Sequence, residues 1–499
     1  MSLAGLSVSR IGQAGLQLFQ AAPQASPWIS NLVQELDGSW RPRYGLGLVK
    51  AYSKRISMLH STYQATDSKH YIYVMTEESK LYKGAITEIG AATGLDMSAE
   101  IPLANWNSEF KNAAVTVGTS DNPTATDKRL LFSFPGFGVV SQEIYDQTGV
   151  QIEFEGGGGI TGCAFSHGDS VAVVQKNTLL WSAYADSYTF PVLNYTYHMP
   201  EIGEGIVGAY SQENISYVLG TLGIYSIQGA PIESAKFTLL TAPPVAGPAA
   251  TSVARCRDRI IYLAPGPQLY MIGNGLQRID EPIREQLSAY GDATYFSLFY
   301  DPLIDCCCVT PLVDQAVTPG VKNITFLYSL GRNQWLGTYV HADTTKGLMR
   351  AVNAGPNTDS LTVPRNRPPF GLMVVAASEL LTKYESTSYG DDDAAGDSQP
   401  FLCSIETANF GLDESPSVTK QLIDLYVDGV GDWTVKLKFR DGSGEPWQEA
   451  EVGVARGPGW VFASRELPVY KERRIRLEAP SSSTLRLRFV GIRERPIAE

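Results

Sequence analysis

Three consecutive cysteines, Cys306, Cys307 and Cys308, form the densest run of nucleophilic and metal-ligating side chains in the 499-residue sequence. Structural zinc needs spaced pairs of ligands, because four thiolate or imidazole groups must converge tetrahedrally on one ion. Neither Cys256 nor Cys403 supplies a second pair at such a spacing, so the thiols read as reduced, buried side chains. A second cluster, "DDDAAGD", puts Asp391 and Asp393 at positions one and three of a calcium loop, with Gly396 at position six. Ala395 holds the fifth position and Leu402 the twelfth, where a bidentate glutamate belongs, so the stretch is expected to be a solvated linker. The glycine run Gly156 to Gly159 lacks the lysine, the hydroxyl and the helix pattern that a phosphate loop needs, and reads as a turn.

The five histidines, His60, His70, His167, His198 and His341, are scattered without ligand spacing and read as packed or surface residues. No HExxH, GxxxxGK[ST], GxSxG or glycosidase Asp-box phrase occurs. The expectation is therefore a protein without catalytic, cofactor-binding or metal-ligating residues, and not an enzyme. One charged pattern remains. Lys436, Lys438 and Arg440, then Arg474 and Arg476, then Arg486 and Arg488 occupy alternate positions of three strand-like runs. They read either as the wet face of a sheet or as a protein interface for an acidic partner, such as the body of a second copy. No aromatic residues interleave with them to stack on bases, which argues against a nucleic-acid site.

The elements that carry these residues are strands. Apolar, β-branched and aromatic hairpin phrases recur from His70, Arg129, Ser170, Asn214, Arg259, Asn323 and Gly371, at spacings of 59, 41, 44, 45, 64 and 48 residues. Such a period matches the roughly 40 to 50 residues of a four-stranded propeller blade. A blade cannot cover both of its faces alone, so blades must stack and the ring must close. The fold class is thus an all-β β-propeller of six or seven blades over residues 45–388, with insertions near 85–128 and 274–322 at the two long spacings. The strand within Gly45 to Leu59 is a candidate to close the ring on the last blade. "RIDEPIREQLSAY" predicts a short helix between blades, with Asp280 as N-cap and Ile283 and Leu287 on its buried face.

Residues 1–44 form an N-terminal arm and residues 389–400 the linker. From Phe401 the pattern changes to strict alternation: Val435, Leu437 and Phe439, then Ile475 and Leu477, then Leu485, Leu487 and Phe489 take one face. Period-two alternation marks strands with one dry side, so residues 401–499 are expected to be a β-sandwich.

The formal net charge is −12, and all but one unit of it lies in the first 400 residues. That balance gives no electrostatic footprint for gripping nucleic acid. The amino-terminal sequence shows no basic start followed by an apolar core, and no run approaches the ~20 apolar residues of a bilayer span, so synthesis in a cytoplasm is expected.

The phrase "NLVQELDGSWRPRYGL" from Asn31, the hairpins "LGIYSIQG" and "NTLLWSAYADSYTFP", then "YSLGRNQWLGTY" and a terminal sandwich, in that order, resemble the tail nozzle proteins of short-tailed bacteriophages, also called tail tubular or packaged-DNA-stabilising proteins. The resemblance implies a structural virion protein that forms a hexameric ring below the portal and adaptor. That homo-oligomer would be assembled in the bacterial cytoplasm and would contact the head-to-tail connector and a tail fibre or tailspike. Its lumen would hold genomic double-stranded DNA and pass it without sequence-specific binding. Two other functions fit a propeller: one that binds or cleaves host-surface glycan, and a cellular scaffold for protein partners.

Overall fold

The computed structural model describes residues 3–496 apart from the stretches 8–28, 87–99, 102–113, 120–127, 152–163, 183–195, 313–322, 354–371 and 407–418 and several connections of one to five residues. The glycine run at 156–159 and the Ala183 to Pro191 part of the resemblance lie outside the described residues. Seven four-stranded antiparallel meanders follow one another along the described chain. They cover 56–101, 114–151, 164–198, 206–240, 253–278, 295–339 and 348–385, and the seventh takes its fourth strand from Gly45–Ala51. That strand runs antiparallel to Leu380–Glu385, so the segment before blade 1 completes blade 7 and ties the two ends of the propeller together.

Stacking explains why the hairpin phrases are continuously apolar rather than alternating. Tyr217, Leu219 and Ile224 of blade 4 pack on Tyr262 and Ile260 of blade 5. Val218, Tyr225 and Ile227 of the same hairpin pack the opposite way, on Phe165 and Trp181 of blade 3. Both faces of a middle strand are dry, and each buried Leu, Ile or Val then contributes about 1.5–3 kcal/mol. The first strands of blades 5, 6 and 7 lie side by side, and that of blade 7 also meets that of blade 1.

The strands that complete the blades lie between the phrases: Glu100–Ile101 and Ala114–Thr119 in the first long interval, and Gly275–Arg278, Tyr295–Asp301 and Cys306–Leu312 in the second. The phrase from Asn323 is the outer pair of blade 6, Thr325–Ser329 with Gln334–Tyr339, whereas the other six phrases are middle pairs. Alternation identifies a hairpin but carries no mark of its place in a blade. The short helix exists, as a 3-10 turn Glu281–Ile283 running into Arg284–Ser288, and Ile283 and Leu287 are buried. Asp280 does not cap it with its side chain. Its carboxylate instead accepts from Arg278 at 2.8 and 2.9 Å and from the Leu269 amide at 3.1 Å, joining two strands of blade 5.

The carboxyl-terminal strands form two facing sheets with Trp433, Val435, Leu437, Ile475 and Leu477 of one and Leu425, Val427, Leu485 and Leu487 of the other in a single core. The amino-terminal arm is built into this sandwich. Leu3–Ser7 and Trp40–Pro42 pair with Arg486–Pro496, and Ile29, Leu32 and Trp40 enter the core. Ile29–Ser30 lies parallel to the outer strand of blade 6 at Thr338 and antiparallel to Leu402–Glu406. One nine-stranded sheet therefore runs from blade 6 into the sandwich. Gly337 permits this contact: its φ is +148°, and a Cβ there would collide with the Ile29 carbonyl oxygen.

Candidate functional site at the propeller–sandwich junction

Around that shared sheet lies a buried polar cluster drawn from the arm, blade 6, the closing strand and the sandwich. Arg43 is 1% exposed and Asp391 is 0% exposed. The guanidinium donates two parallel hydrogen bonds to the Asp391 carboxylate, at 2.8 and 2.6 Å. It also donates to Asn31 Oδ1 at 3.0 Å, to the Tyr44 carbonyl at 2.9 Å and to the Val340 carbonyl at 3.2 Å, and stacks over Phe401 at 3.9 Å. Asp391 accepts in addition from the Ala342 and Leu46 amides at 2.9 and 3.2 Å.

Asn31 completes the cluster from a left-handed conformation, φ +56°, which asparagine tolerates better than most residues. Its side chain donates to the Val340 and Leu402 carbonyls and accepts from the Val340 amide, bridging blade 6 to the sandwich. A buried ion pair is viable only when its remaining hydrogen-bonding capacity is met, and these partners meet it. Burial alone would raise the Asp391 carboxyl; the adjacent Arg43 guanidinium outweighs it and holds the group below its ordinary value.

The stretch expected to be a solvated linker is thus a two-stranded ribbon, Gly390–Asp392 with Ser398–Pro400, pinned by its first aspartate. Asp392 accepts from the Leu48 amide at 2.8 Å, and Asp393 closes its own turn through the Ala395 and Asp397 amides. The calcium-like spacing is spent on backbone contacts. The signal for Arg43 in the sequence was no more than an arginine inside "WRPRYGL", and nothing near it in the chain names its partner 348 residues away.

The seven cations read as an interface do not share a face. Lys436, Lys438, Arg440, Arg474 and Arg476 lie on the sheet that continues into blade 6, whereas Arg486 and Arg488 lie on the opposing sheet. The first five are paired where they stand, against four glutamates. Lys436 bridges Glu478 at 2.7 Å and Glu449 at 3.2 Å, and Lys438 and Arg474 clasp Glu406 at 2.7 and 3.0 Å. Arg440 binds Glu472 at 2.6 Å and Arg476 binds Glu478 at 2.6 Å. Trp447 covers the guanidinium groups of Arg440 and Arg474, at 4.6 and 4.2 Å. Arg486 leans on Glu35 at 3.6 Å, and Arg488 is exposed. Docking through this face would have to break those pairs. Cross-strand register puts the glutamates beside the cations, and register is not written in any one strand.

The exposed apolar surface is elsewhere. On the short edge strand Gly459–Phe462, Val461 points into the core while Phe462 is 71% and Trp460 40% exposed. Val454, 42% exposed, lies on the preceding strand, and Tyr426 packs on Trp460 at 5.3 Å. An exposed edge with two large aromatics is a candidate interaction surface.

The cysteine triplet alternates with its strand. Cys307 faces the blade 5 side with Cys256, and Cys306 and Cys308 face the blade 7 side with Leu46 and Leu348, so the three thiols cannot converge on one ion. Burial pushes the Cys306 and Cys308 thiols well above their ordinary value. His167 bridges blades 3 and 4, at 2.7 Å from both Ser216 Oγ and the Gly229 carbonyl.

His60, on the first strand of blade 1, has a buried Nε2 without a hydrogen-bond partner, and burial lowers its pKa to about 4. The unfolded chain, with histidine near 6.5, then binds more protons than the folded one between those values. Stability is therefore lost as pH falls from about 6.5 towards 4, by at most ~3 kcal/mol from this residue. Denaturant midpoints at pH 7 and pH 5 are expected to differ less in a His60→Leu variant than in the parent protein.

Seven antiparallel meanders in chain order, closed by a strand from before the first, define an all-β β-propeller, here joined to a β-sandwich. No family model matches the chain, and no curated protein matches it. Among solved structures, BBS1N in complex with ARL6DN is similar over 69% of this chain and 99% of its own, with 11% identity and a TM-score of 0.42. YCF48 bound to D1 peptide is similar over 71% of this chain and 98% of its own, with 9% identity and a TM-score of 0.40. The propeller assignment rests on the blade pairing of the chain itself. No helix among the described residues is long and apolar enough to cross a membrane.

Proposed function

We propose that this protein is a structural ring subunit, the tail nozzle of a short-tailed bacteriophage, whose copies surround a conduit for genomic double-stranded DNA. The observation that carries the reading is the way its parts are joined. Among the described residues, propeller, arm and sandwich share one nine-stranded sheet and one buried ion pair, with an aromatic edge left exposed at the sandwich. A tube wall transmits force between neighbours, and a domain junction tied by shared strands and a buried ion pair suits that task. The order of sequence phrases that resemble nozzle proteins supports the same reading, as does the charge. Basic proteins hold duplex DNA through phosphate contacts that release counterions. A net charge of −12 disfavours such contacts and lets DNA slide. Copies would meet head to tail, each offering the aromatic edge to a different surface of the next, an arrangement that forms a ring when the rotation between neighbours closes.

Light scattering of the purified protein, alone and with its adaptor, followed by negative-stain imaging, tests the proposal. Closed rings, formed alone or on the adaptor, are the expected result. A monomer under both conditions sinks it.

A further inference from the structure

Blade 6 is tied to the arm and the ribbon through one short run of chain. The Asn31 amide donates to the Thr338 carbonyl at 2.9 Å, and the Asn31 side chain exchanges hydrogen bonds with the Val340 amide and carbonyl. Arg43 donates to the same Val340 carbonyl, and the Ala342 amide donates to Asp391 Oδ2. Between Val340 and Ala342 stands His341, 3% exposed. Its Nδ1 accepts from the Asp343 amide at 3.1 Å. A backbone N–H can only donate, so the neutral ring carries its proton on Nε2, which is buried and has no hydrogen-bond partner among the described residues. One nitrogen of the ring is satisfied and the other is orphaned.

We propose that His341 is an acid-sensitive latch: its protonation releases the run from Thr338 to Asp343 and so detaches blade 6 from the arm and ribbon that join it to the sandwich. The added proton goes to Nδ1, where it faces the Asp343 N–H, donor against donor, so that hydrogen bond is lost. Nε2–H then shares a positive charge in a site that offers it no acceptor, and a buried charge without a partner is driven towards water. The charged groups that act on the ring are Arg43 of the arm, Asp391 of the ribbon and Asp343 of its own loop. Arg43 repels an imidazolium. Asp391 attracts it, but its oxygens already serve Arg43 and the Ala342 and Leu46 amides. Asp343 attracts it from an exposed position. The ring reaches water only by moving its backbone, which takes Val340 and Ala342 off Asn31, Arg43 and Asp391. Burial outweighs the carboxylates and lowers the pKa of the closed form, while the released ring returns to about 6.5. The released form thus binds the proton more tightly, and its share rises as pH falls below 6.5, by up to about tenfold per pH unit until the lowered value is passed.

The test is independent of ring formation. Amide hydrogen exchange of the full chain is followed by mass spectrometry at pH 7 and pH 5.5, with labelling times matched to the chemical exchange rate at each pH. The amides of Asn31, Val340, Ala342 and Asp343 report the latch, because each donates one of its hydrogen bonds. Their protection is expected to fall by up to about tenfold at pH 5.5, while the sandwich strand Asp432–Arg440 and the blade 4 strand Ile215–Gly220 keep theirs. His60 lies on blade 1, so its own acid loss reads out elsewhere in the chain. In His341→Asn the side-chain oxygen replaces Nδ1 as acceptor and does not titrate, so the four amides should stay protected at both pH values. The comparison of the parent protein at the two pH values decides the matter even if that variant misfolds. Unchanged protection of the four amides at pH 5.5, or a loss spread evenly over the chain, would overturn the inference, and so would a His341→Asn protein that still opens.

Discussion

Replacing Arg43 with alanine is expected to destabilise the protein by about 3–5 kcal/mol, because it leaves the Asp391 carboxylate charged, buried and without its counterion. A domain of ordinary stability holds only about 5–15 kcal/mol in reserve, so the variant should show a large drop in denaturant midpoint or fail to accumulate. The same change also removes one donor from Asn31 Oδ1 and from the Tyr44 and Val340 carbonyls. Asp391→Asn tests the charge separately: it removes the negative partner and, with one oxygen in place of two, keeps an acceptor for only one of the Ala342 and Leu46 amides, so it too should lower the denaturant midpoint. A double replacement by apolar residues often rescues a buried ion pair elsewhere. Here it is not expected to, because those two backbone amides would remain unpaired. An Arg43→Ala protein as stable as the parent would show that the junction is not held by this pair. The pair also resists acid. Asp391 titrates below its ordinary range, so its contribution is present above that range and is lost only as pH falls through the depressed value. His60 contributes a loss between pH 6.5 and 4, and His341, whose pKa burial also lowers, contributes in the same direction.

Converting Phe462 and Trp460 together to serine is expected to abolish assembly while leaving the fold intact. Both side chains stand on the wet side of an edge strand, and the inward Val461 remains to fill the core. Buried aromatics at interface centres are typically worth 2 kcal/mol or more each, so losing two should weaken each contact by about a thousandfold or more. In a closed ring every subunit gives and receives that contact. Light scattering should then report monomers at concentrations where the parent forms rings, with an unchanged denaturant midpoint. Rings that persist would move the contact to another surface. A fallen midpoint would mean that the aromatics stabilise the sandwich itself.

The seven hairpin phrases, the alternating strands beyond Phe401 and the short helix at 281–288 were legible in the sequence, because each is a local pattern of apolar spacing. The closing strand was legible too, as an unpartnered apolar run ahead of the first blade. Two expectations failed for one reason. "DDDAAGD" was expected to be a solvated linker and Asp280 to cap the helix, but Asp391 and Asp280 are held by residues across the fold or on a neighbouring strand. The aromatic edge was present as "GWVF", but four residues of alternation do not say which end of a sandwich they finish.

The sequence alone determined that this chain must be all-β, that its apolar runs had to be covered on both faces by neighbouring copies of the same unit, and that its surface is acidic. Those properties follow from side-chain spacing and count. The tertiary structure decided that the amino-terminal arm belongs to the carboxyl-terminal sandwich, that Arg43 meets Asp391, and that glutamates pair with the cations of the sheet that continues into blade 6. Such contacts join residues hundreds of positions apart. Burying their charges is tolerable only in the one arrangement where every donor and acceptor is met, and no local pattern encodes that arrangement.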